Sequence, residues 1–200
     1  MTRAFSYVGW YNFVDMTEPG SKFLTMEFLM SLSFEETGNT TEIYFCFFDE
    51  QYKLTSKELN VALGFDKKCL LDPCVLAKTY KYDRTTWWNE ISKELVSSKN
   101  SIVSIHNPTL RMLAKWICMV VHPHSVLRLC SLPELQHLFA MAKKIKLSPV
   151  MSMLAHWQKM IASRSPIDIT TLVTRIATHV KALENAQVTY LPWEDDTSSR

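Results

Sequence analysis

The sequence predicts a mainly α fold: a single helical domain of about six to seven helices with a small β-hairpin near its N-terminus. Three observations carry this expectation. Four apolar stripes with i, i+3, i+4 spacing run through the second half of the chain, each bounded by capping or proline signals. Two capping boxes, Thr55-Ser-Lys-Glu58 and Ser131-Leu-Pro-Glu134, mark helix starts. The four glycines sit at 9, 20, 38 and 64, so none follows in the remaining 136 residues. A β-rich half would need glycine in its turns.

The elements follow in order. Residues 1–20 carry Phe5, Tyr7, Trp10, Tyr11 and Phe13 and end at Pro19-Gly20; they read as an irregular but ordered aromatic arm, since so many rings do not stay in water. The helical domain is expected over 21–187. It opens with a helix from Lys22 to Ser33, with Phe23, Met26, Leu29 and Met30 at helical spacing. Glu42–Phe48 and Tyr52–Leu54 form the hairpin around Asp49-Glu-Gln51. The first capping box then opens a short helix, with Leu59, Ala62 and Leu63 inward and Gly64 at its left-handed end. Residues 66–84 read as a loop, and Thr85 or Thr86 caps a helix from Trp87 to about Leu95 with Trp88, Ile91 and Leu95 on one face. Residues 96–106 read as an exposed connection.

Asn107-Pro108 opens a central helix striped by Leu110, Leu113, Ala114, Ile117, Cys118 and Val121 and broadened by Met112, Trp116 and Met119. Ser131 opens the next, ending near Lys143. Ser148-Pro149 opens a third, with Val150, Met153, Leu154, Trp157, Met160 and Ile161 apolar. Asp168 caps the last, striped from Ile169 to Leu183. Residues 188–200 read as an acidic, extended tail.

Composition bounds the function. Forty-seven per cent apolar and 12% aromatic residues supply a core and exclude a disordered chain. No apolar run approaches the ~18 residues of a membrane helix. The segment Met1–Tyr7 lacks a hydrophobic signal core, so an intracellular protein of the nucleus or cytoplasm, with five reduced cysteines, is expected. Charge is uneven: residues 1–100 hold 11 Lys/Arg against 14 Asp/Glu, whereas 101–193 hold 10 against 3 and all six histidines. This polarity suits either an anionic partner for the second half or two halves that neutralise one another.

Five short signatures, in order, resemble the plant transposon domain of Athila-type retrotransposon open-reading-frame proteins. They are Leu54-Thr-Ser-Lys-Glu-Leu-Asn-Val-Ala-Leu-Gly-Phe65, Trp87-Trp-Asn-Glu-Ile91, Ser98-Lys-Asn-Ser101 with Asn107-Pro-Thr-Leu-Arg111, Glu134-Leu135, and Leu172-Val-Thr-Arg-Ile-Ala-Thr-His179. The similarity spans roughly residues 24–182. Two or three extra residues near Ile102–Ser104 depart from it, as does His122-Pro-His124 after the central helix. The resemblance implies a non-enzymatic, Gag-like product that self-associates or contacts nucleic acid, with no catalytic residues. The plant mobile domain, a protein-interaction adaptor, is the alternative family.

Two constellations bear on chemistry. Lys143, Lys144, Lys146, Lys159, Arg164, Arg175 and Lys181 are candidates for phosphate contact with RNA or DNA, though a solvated basic face is the preferred reading. Cys118, His122, His124 and Cys130 form C-x3-H-x-H-x5-C, and zinc accepts these residue types. The spacing matches no standard finger and Cys118 lies on an apolar stripe, so a buried thiol beside helix-end histidines is expected, with no cofactor. The phosphate-binding glycine loops are absent, so no small-molecule substrate is evident. Trp193-Glu-Asp-Asp196, similar on its face to the paired carboxylates of reverse transcriptases, reads as part of the solvated tail.

Overall fold

A computed structural model describes residues 2–37, 40–98, 100–124, 126–164, 168–184 and 186–191. The end of the expected acidic tail, with Trp193–Asp196, lies outside them. The mainly α class holds, with ten α-helices among the described residues rather than six or seven. No helix is long and apolar enough to cross a membrane. The chain divides into two compact units. One comprises Met1–Val14 and Gly64–Ile167, the other Asp15–Leu63 and Asp168–Arg200.

The smaller unit is built on a three-stranded antiparallel sheet, β1 (Ser33–Thr37), β2 (Thr40–Phe47) and β3 (Glu50–Thr55), in that order. The expected hairpin is therefore two thirds of a meander. Its tight turn is Phe48-Asp49, both at positive φ (53° and 62°), joining Phe47 to its register partner Glu50. Positive φ at both central residues matches the right-handed strand twist. Alternation along β2 buries Ile43, Phe45 and Phe47. Helix α3 (Lys22–Ser31) lies on the sheet with the Phe28 ring 5.2 Å from that of Phe45.

The face that α3 buries is Leu24, Thr25 and Phe28. The expected stripe is the opposite one: Phe23, Met26 and Met30 are 61%, 63% and 83% exposed. Both faces of this helix are apolar, so spacing could not choose between them.

Helix α4 (Ser56–Ala62) starts on the expected capping box: the Glu58 amide donates to Thr55 Oγ1 at 3.2 Å, and the Thr55 amide to Glu58 Oε2 at 2.7 Å. Gly64 follows it at φ 88°, the left-handed conformation that a C-cap needs. Helix α10 (Thr170–His179) packs on α3 and α4 and buries Leu172, Val173, Ile176 and Ala177. Its N-cap is Ile169 without a side-chain bond, not Asp168.

In the larger unit the N-terminal arm is helical: α1 (Thr2–Val8) and α2 (Tyr11–Val14) bury Phe5, Trp10 and Phe13. Gly9 joins them at φ 76°, and a Cβ there would lie 2.7 Å from Asp66 Cβ. The loop expected over 66–84 contains α5 (Cys74–Tyr80). Helix α6 (Arg84–Ile91) is capped by Asp83, which accepts from the Thr86 amide at 2.8 Å, one turn earlier than expected. It buries Trp87, Trp88 and Ile91 and ends before Leu95, which is 89% exposed.

The connection 96–106 is not wholly exposed. Asn100, Ile102 and Ile105 are buried, and β4 (Asn100–Ser101) pairs with β5 (Leu129–Cys130). Asn107 caps α7 (Pro108–Trp116), which continues as a π-helical turn over Ile117–Val121. Met112 and Met119, expected to widen its buried stripe, are exposed. Helices α8 (Leu132–Lys143) and α9 (Val150–Ala162) complete the unit, although Ile161 of the α9 stripe is exposed.

Candidate functional site

The π-helical turn sets the site. Its wider winding sends the His122 amide to Ile117 O at 3.0 Å and leaves Cys118 fully buried. Such turns recur at functional sites because they re-aim side chains within a helix. Pro123 then ends the helix, and the chain returns through β5 to the second capping box at Ser131.

That box explains only half of Glu134. Oε2 accepts from the Ser131 amide. Oε1 faces the other way, 3.4 Å from His122 Nδ1 and 3.6 Å from His124 Nε2. Among the described residues, Cys118, His124 and Glu134 place ligand-type atoms within 4.8 Å of one another. Cys118 Sγ donates to Leu129 O at 3.6 Å, beside the buried Cys130. The fold thus gathers all four residues of the C-x3-H-x-H-x5-C run around a carboxylate that the sequence assigned to capping alone.

A second row of polar groups holds the first. Ser152 of α9 donates to Pro149 O at 2.8 Å, which uses its single proton. His122 Nε2 (3.0 Å) and His137 Nε2 (2.7 Å) both reach Ser152 Oγ, which leaves His122 Nδ1 turned to Glu134. His156 Nε2 meets Pro123 O at 2.9 Å, tying α9 to the segment that carries His124.

Electrostatics separates these groups. Burial pushes the Glu134 carboxyl up, but hydrogen bonds from His122 and Ser131 and the adjacent imidazole outweigh it and bring it to about 2. Burial lowers His137 to about 3, so it is neutral at pH 7. The hydrogen bond with Cys118, then burial and the charge of Glu134, push the Cys130 thiol well up. A half-open cleft of about 250 Å³ leads to the cluster, lined in part by His124, Glu134, His156, Lys159 and Met160. No family model, curated protein or solved structure matches the chain. The reading of this site therefore rests on its geometry.

The basic candidates are divided between the two units: Arg175 and Lys181 belong to the smaller and the other five to the larger. Four have acidic partners: Lys143 with Glu90, Lys146 with Asp66, Arg175 with Glu18, and Lys181 with Glu184. Lys143 also lies 5.4 Å from the Trp87 ring centre, and Lys144 lies 4.7 Å from that of Tyr7. Lys159 lines the cleft, and Arg164 follows α9 at φ 51°.

Sequence reasoning missed Glu134 as a site residue, along with Ser152, His137 and His156. The one available signal was the crowding of every histidine into the second half. It also missed the outer face of α3, where an apolar row runs along solvent.

Proposed function

We propose that this chain is a non-enzymatic interaction domain of plant retroelement type, which self-associates in a Gag-like manner. The observation that carries the reading is the exposed row Phe23, Met26 and Met30 on successive turns of α3, extended by the Phe48 ring 6.3 Å from Phe23. An apolar row of this kind marks a protein contact, and methionine suits an adaptable one. A second copy is the natural occupant, because two such rows related by a two-fold axis bury each other. The ordered signatures support the same family. Their residues act as caps and core: Thr55 and Glu58 cap α4, Asn107 caps α7, and Trp88 is fully buried.

RNA or DNA contact is the weaker part of the reading, since four of the seven candidate cations are paired with carboxylates. An adaptor of the plant mobile-domain type, holding a different protein on the same row, is the alternative.

Solution mass by light scattering, with and without single-stranded RNA at low and moderate salt, tests the proposal. A mass that rises with protein concentration in the absence of RNA is the expected result. An RNA complex that dissociates as salt rises would add the nucleic-acid role. A monomer at every concentration, unchanged by RNA, would overturn self-association and leave the adaptor.

A further inference from the structure

We propose that Cys118, His124, Glu134 and His122 form a zinc site that ties the end of the central helix to the start of α8. This inference is independent of the interaction role above.

Distance is the first argument. His122 Nδ1 and His124 Nε2 lie 3.4 and 3.6 Å from the same oxygen, Glu134 Oε1. Both exceed the 2.7–3.2 Å of an ordinary hydrogen bond, roughly the N–H···O range. They match the separation of two ligands on one tetrahedral zinc: bonds of about 2.0–2.3 Å place neighbouring ligand atoms about 3.3–3.6 Å apart. Cys118 Sγ lies within 4.8 Å of the His124 and Glu134 atoms, so these three close on one point, and His122 Nδ1 approaches it through Glu134 Oε1.

The second argument is convergence. Glu134 Oε1 has an imidazole nitrogen turned to it from each of His122 and His124, and the Cys118 sulfur lies on a third side. Hydrogen bonds occupy the outer atoms of the cluster, His122 Nε2 on Ser152 and Glu134 Oε2 on the Ser131 amide. A cation between the inner atoms satisfies them together.

Charge balance chooses the ligands. Zinc with one thiolate, one carboxylate and two neutral imidazoles is neutral, which suits residues as buried as Cys118, His122 and Glu134. Exchanging an imidazole for a second thiolate would leave an uncompensated negative charge. Cys130, buried next to Leu129, is therefore left outside the ligand set. Supporting bonds are in place: Ser152 orients His122, and the Ser131 amide holds the second oxygen of Glu134. The 250 Å³ cleft lined by His124 and Glu134 provides the way in. Binding forms the Zn–S, Zn–N and Zn–O bonds and releases the Cys118 proton to solvent, with no change of oxidation state.

Titration of the reduced, full-length, metal-free chain with Co²⁺ tests the site. The expected result is one Co²⁺ per chain, a thiolate-to-metal charge-transfer band and the intense visible bands of four-coordinate cobalt, all bleached by Zn²⁺. Cys118→Ser abolishes the charge-transfer band, whereas Cys74→Ser, at an exposed cysteine, leaves it unchanged. Glu134→Gln keeps the capping box, because glutamine also serves at that position, yet weakens Co²⁺ more than about tenfold. Circular dichroism of each apo variant separates lost ligation from lost folding. Should Cys118→Ser fail to fold, Glu134→Gln and His124→Gln decide. A folded wild-type chain that leaves Co²⁺ with its weak hexa-aqua spectrum would overturn the proposal, as would a thiolate band that survives in Cys118→Ser.

Discussion

Trp10→Ala is expected to remove about 3–5 kcal/mol of folding free energy, the largest single-residue effect anticipated in this chain. Trp10 is 1% exposed, and its ring lies 5.6 Å from Phe65, 6.1 Å from Trp116 and 6.4 Å from Phe13. Its indole N–H also donates to Leu147 O at 2.8 Å, joining the N-terminal helices to a segment 137 residues away. Truncation leaves a cavity among aromatic rings and a buried carbonyl without its donor. Trp10→Phe separates the two contributions: most of the packing stays, and losing the bond costs about 1–3 kcal/mol. Tyr11→Ala, next door but half exposed, should change stability by less than about 0.5 kcal/mol. Urea midpoints for the three variants measure this. A Trp10→Ala chain within 1 kcal/mol or so of wild type would mean that the N-terminal helices do not belong to this core.

Between pH 7 and 5 the metal-free protein should lose about 2 kcal/mol of stability through His137. Its folded value is lowered to about 3, chiefly by burial and secondly by His122, with Glu134 opposing. The unfolded chain has the ordinary value of 6.5 and so binds more protons between pH 6.5 and 3. Stability is complete above 6.5 and falls as pH drops toward 3. His156, also lowered by burial, adds to the same slope. Glu134, depressed from 4.5 to about 2, contributes stability that is lost only below pH 4.5. His137→Gln retains an N–H donor toward Ser152 and removes the titration. Urea midpoints at pH 7 and 5, taken with chelator, should lie closer together for this variant than for wild type, with the remaining gap due to His156. Equal slopes in wild type and His137→Gln would show that His137 is not held neutral.

What the sequence made legible was local. The capping boxes at Thr55–Glu58 and Ser131–Glu134 and the cap at Asn107 lie where their three- or four-residue signatures place them. The stripe of α10 is buried from Ile169 to Ala177, whereas Val180 and Leu183 lie past the helix end and are half-buried. Helix α5 escaped because its seven residues carry one buried apolar side chain, Leu76, too few to set a period. The buried face of α3 escaped because Phe23, Leu24, Met26, Phe28 and Met30 surround the helix, and only the sheet beneath decides which are covered.

The site divides in the same way. Cys118, His122, His124 and Cys130 were visible because they lie within 13 residues of one another. Glu134 was hidden by having a complete structural explanation in its other oxygen. Ser152 and His137 act from other helices, and no spacing connects them to His122. The pairing of basic residues was hidden for a related reason. Lys146 and Arg175 find carboxylates 80 and 157 residues away, Asp66 and Glu18, which no local spacing reveals.

If the outer row of α3 joins copies of the chain, charging it abolishes association. Light scattering across a concentration series compares wild type with the Met26→Lys/Met30→Lys double variant. Both substitutions lie at exposed positions and leave Leu24, Thr25 and Phe28 on the sheet. Self-association through this row gives a wild-type mass that climbs from 23.2 kDa as concentration rises, and a double variant that stays at the monomer mass with an unchanged circular dichroism spectrum. A wild-type chain that remains monomeric throughout, or a double variant that associates as strongly as wild type, would contradict it.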